Sequence, residues 1–180
     1  MEVYGLTKAH GEQYVHYLAG TRGFPAVVVR LFNVVGPGET NPHVVPQIIA
    51  QLRAARTRLR LGSTTPRRDF IHVTDAASGF VATALRGNVR PREVVTVNLG
   101  TGITHSVAEV VDLLADVTSR TITVESEPAR LRRYDNPFVA ADVSKMRAAF
   151  GWTARFDLPT ALRETWRDPD LPAYLEGGDP

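Results

Sequence analysis

The chain has 180 residues, of which 43% are hydrophobic and 22% charged, with a formal net charge of +2. These values fit one globular domain or a large part of a bigger protein. The absence of cysteine excludes disulfides, thiolate metal sites and thiol catalysis. No apolar run reaches the roughly 20 residues that span a bilayer, and no secretory signal is visible, so we expect a cytoplasmic protein without a membrane partner.

Arginine supplies almost all of the positive charge. Only two of the 21 basic residues are lysines, and the arginines are scattered, with local pairs at 67–68 and 132–133. Nucleic-acid proteins usually concentrate their charge in a stripe or tail, so we expect no nucleic-acid partner. The guanidinium fork matches phosphate oxygens, and these pairs favour a small phosphorylated ligand.

Helical and strand patterns alternate along the chain. Apolar spacing, β-branched runs and glycine or proline breaks predict, in order, a helix over 5–21, a strand over 26–32, a loop over 33–41, a helix over 44–55, strands over 58–61 and 69–73, a helix over 74–85, a strand over 94–99, a helix over 106–117, a strand over 121–124, a loop over 128–137, and helices over 143–150 and 158–166. Thr74 is the expected N-cap of one helix, and Ser106 with Glu109 forms a capping box on another. The alternation predicts an α/β fold with parallel strands.

The first predicted helix carries Tyr4 and Lys8 at spacing i, i+4, which places both on one face. A lysine cation there favours the ionised phenolate, which makes tyrosine an acid/base group usable near neutral pH. An exposed helical pair without chemistry is the alternative explanation of the spacing alone.

Five segments in order resemble one family. They are YGLTK (4–8), RLFNVVGPGE (30–39), RRDFIHVTDAASGF (67–80), NLGTG (98–102) and DVSK…FGW (142–152). Together they resemble the C-terminal portion of an extended short-chain dehydrogenase/reductase of the NAD-dependent nucleotide-sugar epimerase/dehydratase type. The resemblance implies the end of a Rossmann-like parallel sheet over 1–42, a mainly substrate-binding α/β part over 43–166, and a frayed tail over 167–180.

The resemblance also implies roles at the cofactor. Tyr4 would be the acid/base at the sugar hydroxyl, and Lys8 would hydrogen-bond the ribose of bound NAD or NADP. Phe32 would pack near the nicotinamide ring, with a core position as the alternative.

Further residues match the family's nucleotide-sugar pocket. Asn33 would contact the sugar or cap the loop, and Arg68 would grip the diphosphate unless it pairs with Asp69 or Asp75. Phe70 would stack near the base or ribose, or else lie in the core. Either Arg132 or Arg133 would be the second phosphate-binding arginine, and Asp135 would hold that arginine or a ribose hydroxyl.

Two other patterns favour structural roles. His72 is expected to be a hydrogen-bonded strand histidine, because no second histidine lies at ligand spacing for a metal. The Gly100–Gly102 segment follows a strand but lacks G-x-G-x-x-G spacing, so it is expected to be a turn rather than a phosphate cradle.

The family's Gly-rich dinucleotide motif is not present in this sequence. We therefore expect an enzyme fragment without activity of its own, with a non-catalytic nucleotide-sugar binding module as the alternative. The missing half leaves three explanations open: part of a longer enzyme, a truncated gene product, or a second chain that supplies the other half. The family often forms homodimers through the tyrosine helix and a second helix, and a homodimer is doubtful here because only one of the two is present.

Overall fold

A computed structural model describes residues 3–39, 41–131 and 135–169. The α-helices are α1 (Val3–Arg22), α2 (Val44–Arg53), α3 (Val73–Leu85), α4 (Val107–Thr118), α5 (Ser144–Phe150) and α6 (Leu158–Arg167). The strands are β1 (Ala26–Leu31), β2 (Asn33–Val35), β3 (Arg58–Leu61), β4 (Arg67–His72), β5 (Val94–Leu99), β6 (Thr104–Ser106), β7 (Thr123–Ser126) and β8 (Phe138–Val139), and a 3₁₀ turn covers Pro128–Arg130.

Three small sheets carry the fold, and most of their pairings are parallel. β1 pairs with β5, and β3 pairs with β7. β4 is the centre of the third sheet, where it pairs in parallel with β2 and β8 and antiparallel with β6. The expected α/β class with parallel strands is confirmed.

Two hydrophobic cores share these elements. One lies among α2, β3, α4 and α6, with Phe70 of β4 inside it. The other joins β1, β5, α3 and α5, with Ile71 of β4 inside it. Successive side chains of a strand point to opposite faces, so β4 contributes to both cores. Because β5 pairs with β1, the two predicted parts share a sheet, and the boundary at residue 42 stays a prediction.

The N-terminal elements pack loosely on the rest of the chain. Ala19 is the one buried residue of α1, and no residue of β1 is fully buried. Within the described chain β1 pairs with no strand other than β5, so its other edge is free. Residues of α1 and β1 together line an open space.

Most predicted elements are present with ends shifted by a few residues. Residues 33–35 form β2 rather than loop, because β4 supplies a partner strand, and the short β6 and β8 were not predicted. The Thr74 N-cap is wrong: the cap is His72, whose Nδ1 accepts from the Thr74 N–H at 3.1 Å. The capping box of Ser106 and Glu109 is confirmed. Residues 170–180 of the predicted tail lie outside the described residues.

Candidate active site

An open cleft of about 1450 Å³ lies between α1, β1 and the glycine loop after β2. Its walls include five of the predicted site residues: Tyr4, Lys8, Phe32, Asn33 and Arg68. These residues come from α1, the β1–β2 junction and β4, so the fold gathers segments that are far apart in sequence. The carboxyl ends of parallel strands are where α/β sheets bind ligands.

Tyr4 and Lys8 lie on one face of α1, at the wall of the cleft. The Lys8 ammonium is 5.3 Å from the centroid of the Tyr4 ring, within the range of a cation–π contact. Tyr4 is 70% exposed, so its hydroxyl is accessible to a ligand. No carboxylate within the described ranges forms an ion pair with Lys8, which leaves its ammonium available.

One turn further along the same face, Glu12 pairs with Arg30 of β1. Arg30 Nε donates to Glu12 Oε1 at 2.7 Å, and Arg30 Nη2 donates to Oε2 at 2.6 Å. These hydrogen bonds from Arg30 hold the pKa of Glu12 below its ordinary value. The pair fastens α1 to the sheet, and sequence reasoning missed it, although the i, i+4 spacing from Lys8 could have indicated Glu12.

The cleft floor is the junction of β1 and β2. Phe32 is half-buried and its N–H donates to the Leu99 carbonyl at 3.0 Å. Asn33 is exposed, and its Nδ2 donates to the Asp69 carbonyl at 3.1 Å. No donor among the described residues binds the side-chain oxygen of Asn33, so this oxygen could accept from a ligand.

The glycine loop after β2 is held in place by close contacts. A Cβ on Gly36 would lie 2.4 Å from Val73 Cγ1, so only glycine fits there. Gly38 has φ +81°, and its N–H donates to Asp168 Oδ2 at 2.7 Å. The C-terminal end of α6 therefore fixes this side of the cleft, a contact that sequence reasoning missed because its partners lie far apart.

Arg68 reaches the cleft from β4 and contacts Asp135. Its Nη1 donates to the Arg67 carbonyl at 2.8 Å, and its Nη2 pairs with Asp135 Oδ1. The partner is Asp135, not Asp69 or Asp75. The remaining N–H groups of the guanidinium could donate hydrogen bonds to phosphate oxygens.

The other predicted residues have different positions. Phe70 is 6% exposed and lies in the first core. It does not line the cleft, so the alternative of a core position applies to Phe70. Arg132 and Arg133 lie outside the described residues. His72 is buried and its Nε2 contacts Glu164 Oε2 at 3.0 Å, so both ring nitrogens have partners and the structural role holds.

The glycine turn of 100–102 binds a carboxylate of this chain. Asp69 Oδ1 accepts from the Thr101 N–H and hydroxyl, and Asp69 Oδ2 accepts from the Gly102 N–H at 2.8 Å. The N–H groups that could have formed a phosphate cradle are thus occupied. In residues 3–39, 41–131 and 135–169, no three potential metal-ligating side chains cluster, and no helix there combines the length and apolarity of a membrane span.

The cleft fits the nicotinamide end of a dinucleotide. Lys8 offers an ammonium that no carboxylate of the described residues pairs with, Phe32 offers a half-buried ring, and the space is large enough for ring and ribose. The sequence contains no G-x-G-x-x-G segment to bind the pyrophosphate. The residues present therefore match one end of the cofactor.

Comparison with known proteins finds relatives over most of this chain. The chain is 25% identical over 170 residues to the GDP-6-deoxy-D-mannose reductase of Pseudomonas aeruginosa, covering 92% of this chain and 55% of that protein. It is 30% identical over 169 residues to the dTDP-6-deoxy-L-talose 4-dehydrogenase (NAD(P)(+)) of Kitasatospora kifunensis, covering 91% and 52%.

A solved structure matches as well. The UDP-glucose-4-epimerase from Stenotrophomonas maltophila, with bound NAD and formylated UDP-arabinopyranose, superposes with a TM-score of 0.76 at 31% identity over 92% of this chain and 54% of that one. The chain thus spans about half the length of the relatives it matches. Since the family model for the NAD dependent epimerase/dehydratase family matches residues 1–100, this chain belongs to that family.

Proposed function

We propose that this chain supplies the acid/base pair and the substrate side of an NAD(P)-dependent nucleotide-sugar epimerase, dehydratase or 4-keto-sugar reductase. The observation that carries the proposal is the single cleft that Tyr4 and Lys8 share with Asn33 and Arg68. The names of the relatives, which include GDP-, dTDP- and UDP-sugar enzymes, support the class of substrate.

The chain's own residues would handle the proton. Tyr4 would move a proton on or off the sugar hydroxyl near C4, with the Lys8 cation beside its ring. Lys8 would also hydrogen-bond the ribose of the cofactor, and Phe32 would pack near its nicotinamide ring. The nicotinamide, when bound, accepts or donates the hydride.

The nucleotide end of the substrate would lie at Arg68. A guanidinium binds two oxygens of a diphosphate with parallel hydrogen bonds, which suits a nucleotide sugar. Asp135 already contacts Arg68 and would either orient it or accept from a ribose hydroxyl. Asn33 would accept from a sugar hydroxyl through its free side-chain oxygen.

We expect the isolated chain to lack turnover, because it carries no pyrophosphate cradle for the dinucleotide. The test is an NAD(P)-dependent assay of the purified 180-residue chain with a panel of UDP-, GDP- and dTDP-sugars. Clear turnover would contradict this part of the proposal.

Nucleotide binding is tested separately by titration calorimetry with UDP, GDP and dTDP. We expect binding that is lost in Arg68→Ala and kept in Arg58→Ala, a matched control whose side chain is 77% exposed and pairs with Glu125 on the surface. Equal nucleotide affinities of the two variants would contradict the assignment of Arg68 to the diphosphate site.

A second candidate function is a binding module that docks on a separate chain carrying the Rossmann half. The free edge of β1 favours it, since an unpaired apolar strand edge is a template for another strand. Both candidates predict nucleotide-diphosphate binding, so turnover separates them. A complex with a Rossmann half that turns over and loses this activity in Tyr4→Phe supports the enzyme, whereas a complex that binds nucleotide diphosphates without turnover supports the module.

A further inference from the structure

Three chemistry-bearing side chains follow one another on the cleft face of α1. Tyr4, Lys8 and Glu12 are spaced four residues apart, and all three line the cleft. Residues four apart on a helix are neighbours, so Lys8 can reach the residue on either side. The Tyr4 ring lies on one side of Lys8 and the Glu12 carboxylate on the other. The ring and the carboxylate therefore compete for the Lys8 ammonium group.

In the structure the ammonium lies with the ring. Lys8 Nζ is 5.3 Å from the Tyr4 ring centroid, and no ion pair joins Lys8 to Glu12 in the described part of the chain. Glu12 is instead engaged at both oxygens, by Arg30 Nε and Arg30 Nη2. A bidentate arginine satisfies a carboxylate more completely than a lysine point charge can.

We infer that Arg30 is a positioning residue for Lys8: by holding both carboxylate oxygens of Glu12, it prevents Glu12 from pairing with Lys8 and leaves the ammonium at Tyr4. The catalytic meaning of this arrangement rests on the proposed function, in which Lys8 serves Tyr4 and the cofactor. The arrangement itself is a property of α1 and β1 alone.

Other charged and titratable groups near this face do not replace Arg30. His16, one turn beyond Glu12 on α1, faces the same carboxylate. Across the cleft lie Arg68, which pairs with Asp135, and Glu39 and His43 at the far end of the glycine loop. The simpler alternative is that the Glu12–Arg30 pair only fastens α1 to the sheet.

The positioning role and the fastening role predict different results when the Glu12–Arg30 pair is broken by replacing Arg30 or by replacing Glu12. Arg30→Gln leaves a free Glu12 that can attract Lys8, whereas Glu12→Gln breaks the same pair and leaves no competing carboxylate. If the pair only fastens the helix, both variants disturb the Tyr4–Lys8 contact equally. If Arg30 protects Lys8, only Arg30→Gln does.

The contact is measured by NMR on lysine-labelled protein, through the ring-current shift that the Tyr4 ring causes on the Lys8 methylene signals. The chain has only two lysines, so the signals of Lys145 provide an internal reference. The Tyr4→Leu variant gives the chemical shifts of the Lys8 methylene groups in the absence of the Tyr4 ring. Arg30 is 57% exposed in its side chain, so its substitution leaves both cores intact.

We expect Arg30→Gln to lose most of the shift, and both Glu12→Gln and the Arg30→Gln/Glu12→Gln double variant to keep it. A shift retained in Arg30→Gln, or lost in Glu12→Gln or the double variant, would overturn the inference. The readout needs neither cofactor nor sugar, so its outcome is independent of the nucleotide-binding and turnover tests of the proposed function.

Discussion

Asp69 and Asp75 are buried carboxylates that accept hydrogen bonds from backbone N–H groups of distant segments. Asp75 Oδ2 accepts from the N–H groups of Arg155 and Phe156, and Asp69 accepts from the 100–102 turn and from the Ala141 N–H. Both carboxylate oxygens of Asp69 have donors, which offsets the cost of burying this polar group. Asp69 also accepts, through its carbonyl, from Asn33 in the cleft, so it links the core to the candidate site.

Replacing Asp69 should be costly. We expect Asp69→Asn to lower the free energy of unfolding by about 3 kcal/mol, because the amide NH₂ would face N–H donors and leave them unpaired. Urea unfolding gives the value, with Asp112→Asn on the exposed face of α4 as control, expected to change stability by less than about 0.5 kcal/mol. Equal unfolding midpoints for the two variants would contradict the role of Asp69.

Local spacing was enough to predict some site residues, and long-range contact was needed for others. Tyr4 and Lys8 are neighbours on α1 by their i, i+4 spacing. Asn33 and Arg68 were assigned to the same site by the resemblance of segments 30–39 and 67–80 to the family. The partner of Gly38 could not be predicted, because Asp168 approaches it only after α6 has packed. Phe70 was ambiguous, since a strand aromatic next to a ligand and one in a core have the same pattern.

At the scale of elements, α1 is attached to the sheet by few contacts. Ala19 is its one buried residue, and the Glu12–Arg30 pair joins its middle to β1. Such partly exposed pairs contribute less than about 1 kcal/mol each. The attachment of α1 should therefore depend on the ionisation of Glu12.

We expect acid to weaken this attachment. Arg30 lowers the pKa of Glu12 in the folded chain, so the contribution is complete above its ordinary value of 4.5 and is lost as the pH falls through the lowered folded value. Urea unfolding from about pH 6 to about pH 3 would measure it as a steeper loss of stability in the wild type than in Glu12→Gln. Parallel pH profiles would contradict the prediction; the comparison with the variant removes the effect of other carboxylates.

Two glycines in helices provide a matched test of packing. A Cβ on Gly79 of α3 would lie 2.3 Å from the buried Leu99 Cδ1, whereas nothing lies within 4 Å of a Cβ on Gly11 of α1. We expect Gly79→Ala to destabilise the chain by about 1–3 kcal/mol and Gly11→Ala to stabilise it by up to about 1 kcal/mol through helix propensity. Thermal unfolding of both variants shows whether each substitution raises or lowers the unfolding temperature. A change in the same direction for both would contradict this prediction.

The elements that were predicted well carry their own signals, such as the capping box of Ser106 and the Gly151 stop of α5, which has φ +59°. The missed strands β6 and β8 are two or three residues long and exist because β4 offers both of its edges. No local pattern in so short a segment distinguishes a strand from a loop. Topology could not be predicted for the same reason.

At the scale of the whole molecule, the described chain leaves apolar surface uncovered. Val3, Leu6, Tyr14 and Tyr17 of α1 are at least 41% exposed, and β1 has a free edge. Exposed patches of this kind mark interaction surfaces. The relatives are about twice as long as this chain, so each contains a part that this chain does not match.

We expect a complementary Rossmann half to stabilise the chain. Co-expression with the part of a relative that this chain does not match should give a one-to-one complex with a higher unfolding temperature, because binding to the folded state shifts the unfolding equilibrium. Light scattering and thermal unfolding measure both quantities. Replacing Val29 with Pro, which removes a backbone N–H that points to the free edge of β1, should abolish the complex if that edge is used. A complex with this variant would show that other surfaces dock the partner.

The pairing of β1 with β5 has a consequence for synthesis on the ribosome. The strand Ala26–Leu31 emerges early, but its partner Val94–Leu99 is made much later, after two helices and three other strands. During that interval both edges of an apolar strand are unpaired, and such segments are prone to aggregate or to bind chaperones. A strand made earlier in a longer chain would shorten this interval, since the sheet could then grow onto β1 as soon as it emerges.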